Sequence, residues 1–311
     1  MERTEEKIFE EIKNCRTISV IGLAKNVGKT TVVNFLLSRL KRVCVVTIGR
    51  DGEERDTIFN TPKPGVHIPK NSFAVVPGSI LPEWGEILET FDVPSGKVAL
   101  VRAKMDVDVQ TIRMGSFETT AKISERLMNY CKHVVVDGAF GRTGIASYTD
   151  CAIIVTGAEV GQNVEEVISK TVKIIKRITT PSVESDIAKK LKNFSDKIVI
   201  GKDGKLSVVN VDGVAGHEKE IVNACDGVDF VYLPGAVDDE IASKLKCDIV
   251  VPSSEHIFSD RGKFKVLNSA HIVAVAVNAT SVKGFELDSK ELTFELQKRL
   301  NGIIVFDALY T

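Results

Sequence analysis

A short apolar run, Ile18-Ser-Val-Ile21, passes through a turn, Gly22-Leu-Ala-Lys-Asn-Val-Gly-Lys-Thr-Thr31, straight into the helical pattern of Thr30-Thr-Val-Val-Asn-Phe-Leu-Leu37. A strand apolar at successive positions is buried on both faces, and the helix after it has to pack back onto the sheet. That one unit commits the chain to an α/β architecture with a mostly parallel sheet. The same rhythm continues. Apolar runs at Val43–Ile48, Phe73–Val76, Val98–Val101, Val134–Val136 and Ala152–Val155 predict strands. Helical patterns lie between them at Lys29–Leu40, Glu83–Phe91, Ser116–Cys131 and Asn163–Ile178.

The turn between the first strand and its helix has the chemistry of a phosphate-binding loop. Backbone N–H groups of Lys25, Asn26, Val27 and Gly28, with the positive end of the helix dipole, suit a polyphosphate. Gly28 lets the backbone approach phosphate oxygens with no Cβ in the way. Lys29 has the reach for the β- and γ-phosphates, Thr30 offers a hydroxyl to Mg²⁺, and Thr31 is placed for the α-phosphate. The expected ligand is therefore a nucleoside triphosphate with Mg²⁺. The spacing departs from the common motif: five residues, not four, separate Gly22 from Gly28. An isolated Gly-Lys-Thr triplet is weak; strand before and helix after give it weight.

Such a site needs a carboxylate for the metal. His133-Val-Val-Val-Asp137 is an apolar run ending in an acid, so Asp137 is expected at the crevice where ligands bind in such sheets. Asp51, after the second strand, is the best candidate to orient the attacking water or a metal-bound water, with Glu53 and Glu54 next. The competing reading of Asp51 is a solvated charged loop. Arg50 and Arg142 are candidates to meet transition-state charge, and each also suits a surface ion pair. No Asn-Lys-x-Asp guanine motif occurs, which ranks ATP ahead of GTP.

The five-residue spacing resembles the Gly-x-x-x-x-x-Gly-Lys-Thr loops of dethiobiotin synthetase and its relatives, in the P-loop class of the MinD/ParA ATPases and metallochaperone GTPases. That resemblance implies a P-loop NTPase fold and gives Asn278, after a late strand, the part of reading the base; an Asn opening a turn is the plainer account. The ParA-type loop carries a second lysine five residues before the main one. Lys25 stands four before Lys29, so a homodimer contact through it is off that pattern. More narrowly, Thr47-Ile-Gly-Arg-Asp-Gly-Glu53, Val136-Asp-Gly-Ala-Phe-Gly-Arg142, Val155-Thr-Gly-Ala158, Asn278-Ala-Thr-Ser-Val-Lys-Gly284 and Val305-Phe-Asp307 resemble the ATPase-like subunits that reactivate cobalamin-dependent lysine 5,6-aminomutase. This implies an ATPase acting on a protein partner, the aminomutase or a second reactivase subunit. A ligase of the dethiobiotin synthetase type is the alternative, weakened because Arg50 stands where a substrate lysine is expected. A binding protein without turnover is the third reading.

The remaining sequence places these readings. Asp51–Ser72, charged and then Pro-rich, reads as a long loop near the ligand, and its His67 has no evident partner. Thr179–Ser185 reads as a connector. Beyond it Lys197–Ile200 and Leu206–Val209 flank Gly201-Lys-Asp-Gly204 as a hairpin. Asp229–Leu233, Ile249–Val251, Ile272–Val277 and Ile303–Phe306 read as strands, and Ser289–Leu300 as a helix. The expected division is a nucleotide-binding domain over 1–180 and a smaller α/β region over 190–311, either separate or extending the sheet. Trp84 is expected to pack a helix, and Glu255-His256 near Asp260 reads as a polar loop before a metal site. The six cysteines lack Cys-x-x-Cys spacing and suggest reduced, structural thiols. A formal net charge of −1 provides no global field toward nucleic acid or acidic membranes, and the charged N-terminus with Ile8, Phe9 and Ile12 reads as an amphipathic helix, not a secretory signal. A cytoplasmic protein is the expectation.

Overall fold

The computed structural model describes residues 2–48, 65–79, 82–94, 96–109, 114–138, 143–194 and 196–308. Two compact units divide the chain: Met1–Ile174 with His271–Thr311, and Ile175–Ala270 between them. Residues from His271 onward belong with the first unit, because their strands pair with its sheet.

In the first unit, helix α1 (Glu2–Ile12) precedes strand β1 (Thr17–Gly22), helix α2 (Lys29–Arg39) and strand β2 (Val43–Thr47). Strands β3 (Val66–Ile68), β4 (Phe73–Pro77), β5 (Gly85–Val93), β6 (Gly96–Ala103) and β7 (Val107–Val109) follow. Helix α3 (Phe117–Leu127), strand β8 (His133–Asp137), strand β9 (Cys151–Gly157) and helix α4 (Val164–Ile178) complete this stretch. The second unit adds α5 (Ser185–Leu191), β10 (Ile198–Lys202), β11 (Lys205–Val209), α6 (Glu218–Ala224), β12 (Phe230–Tyr232), α7 (Asp239–Ala242), β13 (Asp248–Val251) and β14 (Lys263–Val266). The chain then returns as β15 (Ile272–Asn278), α8 (Ser289–Arg299) and β16 (Ile304–Asp307).

Among the described residues the large sheet has nine strands in the order β16-β15-β9-β1-β8-β2-β4-β6-β5. Pairing is parallel from β16 to β4 and antiparallel for β6 and β5. The central strands are buried along nearly their whole length, which is why they read as unbroken apolar runs. Ile8 and Ile12 of α1 join Val32, Val33 and Leu36 of α2 in one core with Ile18, Val20, Val45 and Ile153 of the sheet. A narrow β3–β7 ribbon stands apart from that sheet. In the second unit a mixed five-stranded sheet runs β11-β10-β12-β13-β14. The expected hairpin is present there, with Asp203 (φ 48°) and Gly204 (φ 74°) at the turn positions that need positive φ. Among the described residues no helix is long and apolar enough to cross a membrane.

Three expectations are corrected. Glu83–Phe91 is not a helix: Gly85–Val93 forms the edge strand β5, paired with β6. A register shift between Ile87 and Glu89 breaks the period-2 alternation, so the segment imitates a helical spacing while cross-strand pairing decides its state. Trp84 stands just ahead of this strand, partly buried against the core that α1, α2 and the large sheet share. The long loop ends earlier than expected, since Val66–Ile68 is a strand and His67 Nδ1 lies 2.9 Å from Asp108 Oδ1. Nor are all six cysteines independent thiols: Cys15 and Cys151 are in contact as a disulfide.

Candidate functional site

Strands β1, β8, β9 and β15 end along one edge of the large sheet, and Lys29, Asp137 and Asn278 lie at or beside those ends. Gly22 closes β1, and Leu23 extends the pairing by donating its N–H to the Val155 carbonyl at 2.9 Å. The turn then folds onto itself. Val27 is 1% exposed in the main core and comes so near that a Cβ on Gly22 would stand 3.0 Å from its Cγ1. Asn26 (φ 58°) and Gly28 (φ 95°) turn the backbone through left-handed conformations, and Gly28 is the N-cap of α2. No side chain caps that helix start, so its first amide groups carry the partial positive charge that anions seek. Lys25, Asn26 and Thr31 are exposed on the turn, and Thr30 is half-buried in the first helical turn.

Asp137 meets this turn from β8. Its register partners are Val20 on β1 and Thr47 on β2, so it ends a strand held on both sides. The Asp137 carbonyl accepts from Ile48 N at 3.0 Å and Thr47 Oγ1 at 3.2 Å. Gly138 follows because its N–H donates to the Val20 carbonyl at 2.9 Å, and a Cβ there would press to 2.8 Å from that oxygen. The Asp137 side chain, 6% exposed, receives Lys29 Nζ at Oδ1 at 2.5 Å; the lysine side chain is 16% exposed. The cation opening α2 and the acid ending β8 thus share one partly dry point. There the attraction is stronger than at a surface.

Asn278 ends β15 opposite Gly157 and approaches the turn from the other side. A Cβ on Gly28 would stand 3.1 Å from Asn278 Nδ2. The Asn278 side-chain oxygen accepts from Thr280 N at 3.1 Å, which makes it the head of a turn, and its carbonyl accepts from Ala158 N at 2.9 Å. The Asn278 side chain thus both heads a turn and lies beside Gly28. Asp51, Arg50, Glu53, Glu54 and Arg142 lie outside the described residues.

Two residues of this edge have parts that the sequence reading did not assign, Gly157 within the Val155–Ala158 motif and Glu159 just after it. Gly157 (φ 151°) has no room for a side chain, since a Cβ would fall 1.7 Å from the Asn278 carbonyl oxygen. Glu159 follows it and accepts from Ser281 Oγ at 2.6 Å and Val282 N at 2.8 Å, fastening the segment after Asn278. The signal available for both was a glycine and an acid just past a fully buried strand. A cleft of about 350 Å³ lined by Leu23, Ala24, Glu159, Val160, Lys170 and Ile174 flanks the turn.

Comparison with protein families, curated proteins and solved structures returns no match for this chain. Chemistry at the strand ends has to be argued from the residues. Among the described residues no group of three or more His, Cys, Asp or Glu side chains is placed to hold a metal. A hard cation bound here would draw on Thr30, Asp137 and oxygens supplied by a ligand, the usual arrangement for Mg²⁺ on phosphates. His256 serves a polar turn, its Nδ1 lying 3.1 Å from Ser253 Oγ.

Proposed function

We propose that this chain is a P-loop NTPase that binds Mg-ATP and acts as a nucleotide-driven switch on a protein partner. The observation that carries the reading is the convergence of a left-handed Gly28, an uncapped helix start and Lys29 on Asp137 at the end of a neighbouring buried strand. A polyphosphate at this place receives backbone N–H groups from the turn and the Lys29 ammonium. Thr30 and Asp137 are the residues that would hold Mg²⁺, whose contribution is to neutralise charge on the phosphates. Asn278, whose side-chain amide lies beside Gly28, is the candidate to read the base. The resemblance to aminomutase reactivases supplies the partner class, a cobalamin-dependent aminomutase or a second reactivase subunit, and a cytoplasmic setting. Asp51 is proposed as the water-positioning residue.

The test is a thermal shift with Mg-ATP and Mg-GTP, followed by phosphate release alone, with a cobalamin-dependent aminomutase, and with small carboxylic acids. Binding is expected to raise the midpoint, more for ATP than for GTP, and the protein partner is expected to stimulate release. Lys29→Ala is expected to remove the shift. Release stimulated only by a small acid would instead assign a ligase of the dethiobiotin synthetase type. No shift with either nucleotide would end the proposal.

A further inference from the structure

All six cysteines of the chain stand in facing pairs, although none is close to its partner in sequence. Cys15 and Cys151 are in disulfide contact. Cys44 and Cys131 are neighbours close enough for each thiol to perturb the other, and so are Cys225 and Cys247. Thiols used only as small hydrophobes have no reason to pair so completely.

Their placement follows one rule. Cys15 lies two residues ahead of β1 and Cys151 opens β9, its neighbour in the sheet. Cys44 is the second residue of β2, and Cys131 lies two residues ahead of β8, the strand beside it. In the second unit Cys225 is the C-cap of α6, which leads into β12, and Cys247 immediately precedes β13, paired with β12. In every case the two cysteines lie at, or on the chain leading into, the N-terminal ends of neighbouring parallel strands.

We propose that the pairs form three intramolecular disulfides, each tying together the beginnings of two adjacent parallel strands. Cys15–Cys151 is the first, and Cys44–Cys131 and Cys225–Cys247 are the two further sites. In each of these two, one thiol eases ionisation of the other: the neighbouring Cys225 lowers the pKa of Cys247, and Cys44 lowers that of Cys131. Cys247 is half-buried, whereas Cys44, Cys131 and Cys225 are buried, so the pair in the second unit reacts first. With a small-molecule disulfide as oxidant, the Cys247 thiolate attacks one sulfur and expels a thiolate. Cys225, deprotonated, attacks the mixed disulfide at the Cys247 sulfur and expels the second. One S–S bond forms in the protein while one breaks in the oxidant. The two cysteine protons end on the two released thiols.

The full chain is incubated with oxidised glutathione, unfolded in guanidinium with an alkylating agent, and weighed and mapped by mass spectrometry. The expected product takes no alkyl group, weighs six hydrogens less than the reduced chain, and maps only to 15–151, 44–131 and 225–247. Cys225→Ser is expected to trap glutathione on Cys247. A reductant is expected to lower the melting midpoint of the oxidised protein by several degrees. Alkylated Cys44 with Cys131, alkylated Cys225 with Cys247, or any other pairing in the intact wild-type chain would overturn the proposal, whatever the variant does.

Discussion

The two ends of the same parallel strands in the first unit are made of different chemistry. At the N-terminal ends, groups of the chain close on one another. Cys15 meets Cys151, the Asp150 carboxylate accepts from Arg16 N and Thr17 N at 2.8 Å each, and His133 Nδ1 lies 2.8 Å from the Cys15 carbonyl. At the C-terminal ends the close approaches are onto glycine: Gly138 against the Val20 backbone, Gly157 against the Asn278 backbone, and Gly28 against the Asn278 side-chain amide. Side chains there are spent on a lysine–aspartate pair and on an uncapped helix start. A sheet tied at one end keeps its register while the other end carries glycine turns that are poor in contacts of their own. Function-bearing loops on a rigid scaffold have this division of labour.

The sharpest way to break the contrast is Gly157→Ala. The added methyl would lie 1.7 Å from a backbone oxygen, in a conformation that L side chains rarely adopt. A loss of about 4 kcal/mol is expected in denaturant unfolding. A change below roughly 1 kcal/mol, well under the ordinary cost of a strained backbone, would mean that β9 and β15 approach each other less closely than described.

Replacing the tie at the other end is expected to matter almost as much for stability and not at all for ligand. Cys15→Ala with Cys151→Ala removes the cross-link across 136 residues of chain and is expected to cost about 2–4 kcal/mol. The midpoint rise with Mg-ATP is expected to survive unchanged. Loss of that rise in the double variant would show that the two ends are coupled, and the comparison would fail.

Lys29→Ala reverses the pattern. Sequence alone suggests a charge lost from a solvated loop. The structure instead leaves the buried Asp137 without this cation, and about 1–3 kcal/mol of stability is expected to go with it. Lys29→Ala combined with Asp137→Asn is expected to recover part of that loss, because the buried negative charge that faced the lysine goes too. Neither variant is expected to respond to nucleotide. Full nucleotide response in Lys29→Ala would remove this lysine from the site.

Legibility in the sequence followed burial. β1, β2, β8, β9 and β15 were plain because strands covered on both faces carry unbroken apolar runs, and the turn ending in Gly28-Lys29 was plain because its strand and helix flank it directly. β5 was misread because an edge strand with a register shift loses its alternation. The return of β15 and β16 to the first sheet was not legible, since nothing local says which sheet a buried strand joins. The parts played by Gly157 and Glu159 are not legible for a related reason. Their roles come from Asn278, Ser281 and Val282, more than a hundred residues away. The cysteine pairs are likewise long-range, and spacing rules see only short separations.

The smallest effect concerns Glu159, which sits at the C-terminal edge but holds chain to chain, as the other edge does. Its carboxylate binds Ser281 Oγ and Val282 N, while Asn278 heads the same segment through Thr280 N. Glu159→Ala removes both bonds and is expected to cost about 1 kcal/mol. Glu159→Gln keeps an acceptor and is expected to cost less. If the segment after Asn278 only closes the fold, ATP and GTP affinities stay as in the wild type. If it holds Asn278 against the nucleotide base, Glu159→Ala weakens ATP several-fold while Glu159→Gln restores it. A glutamate that moves neither stability nor affinity would show that its bonds to Ser281 and Val282 take no part in positioning Asn278.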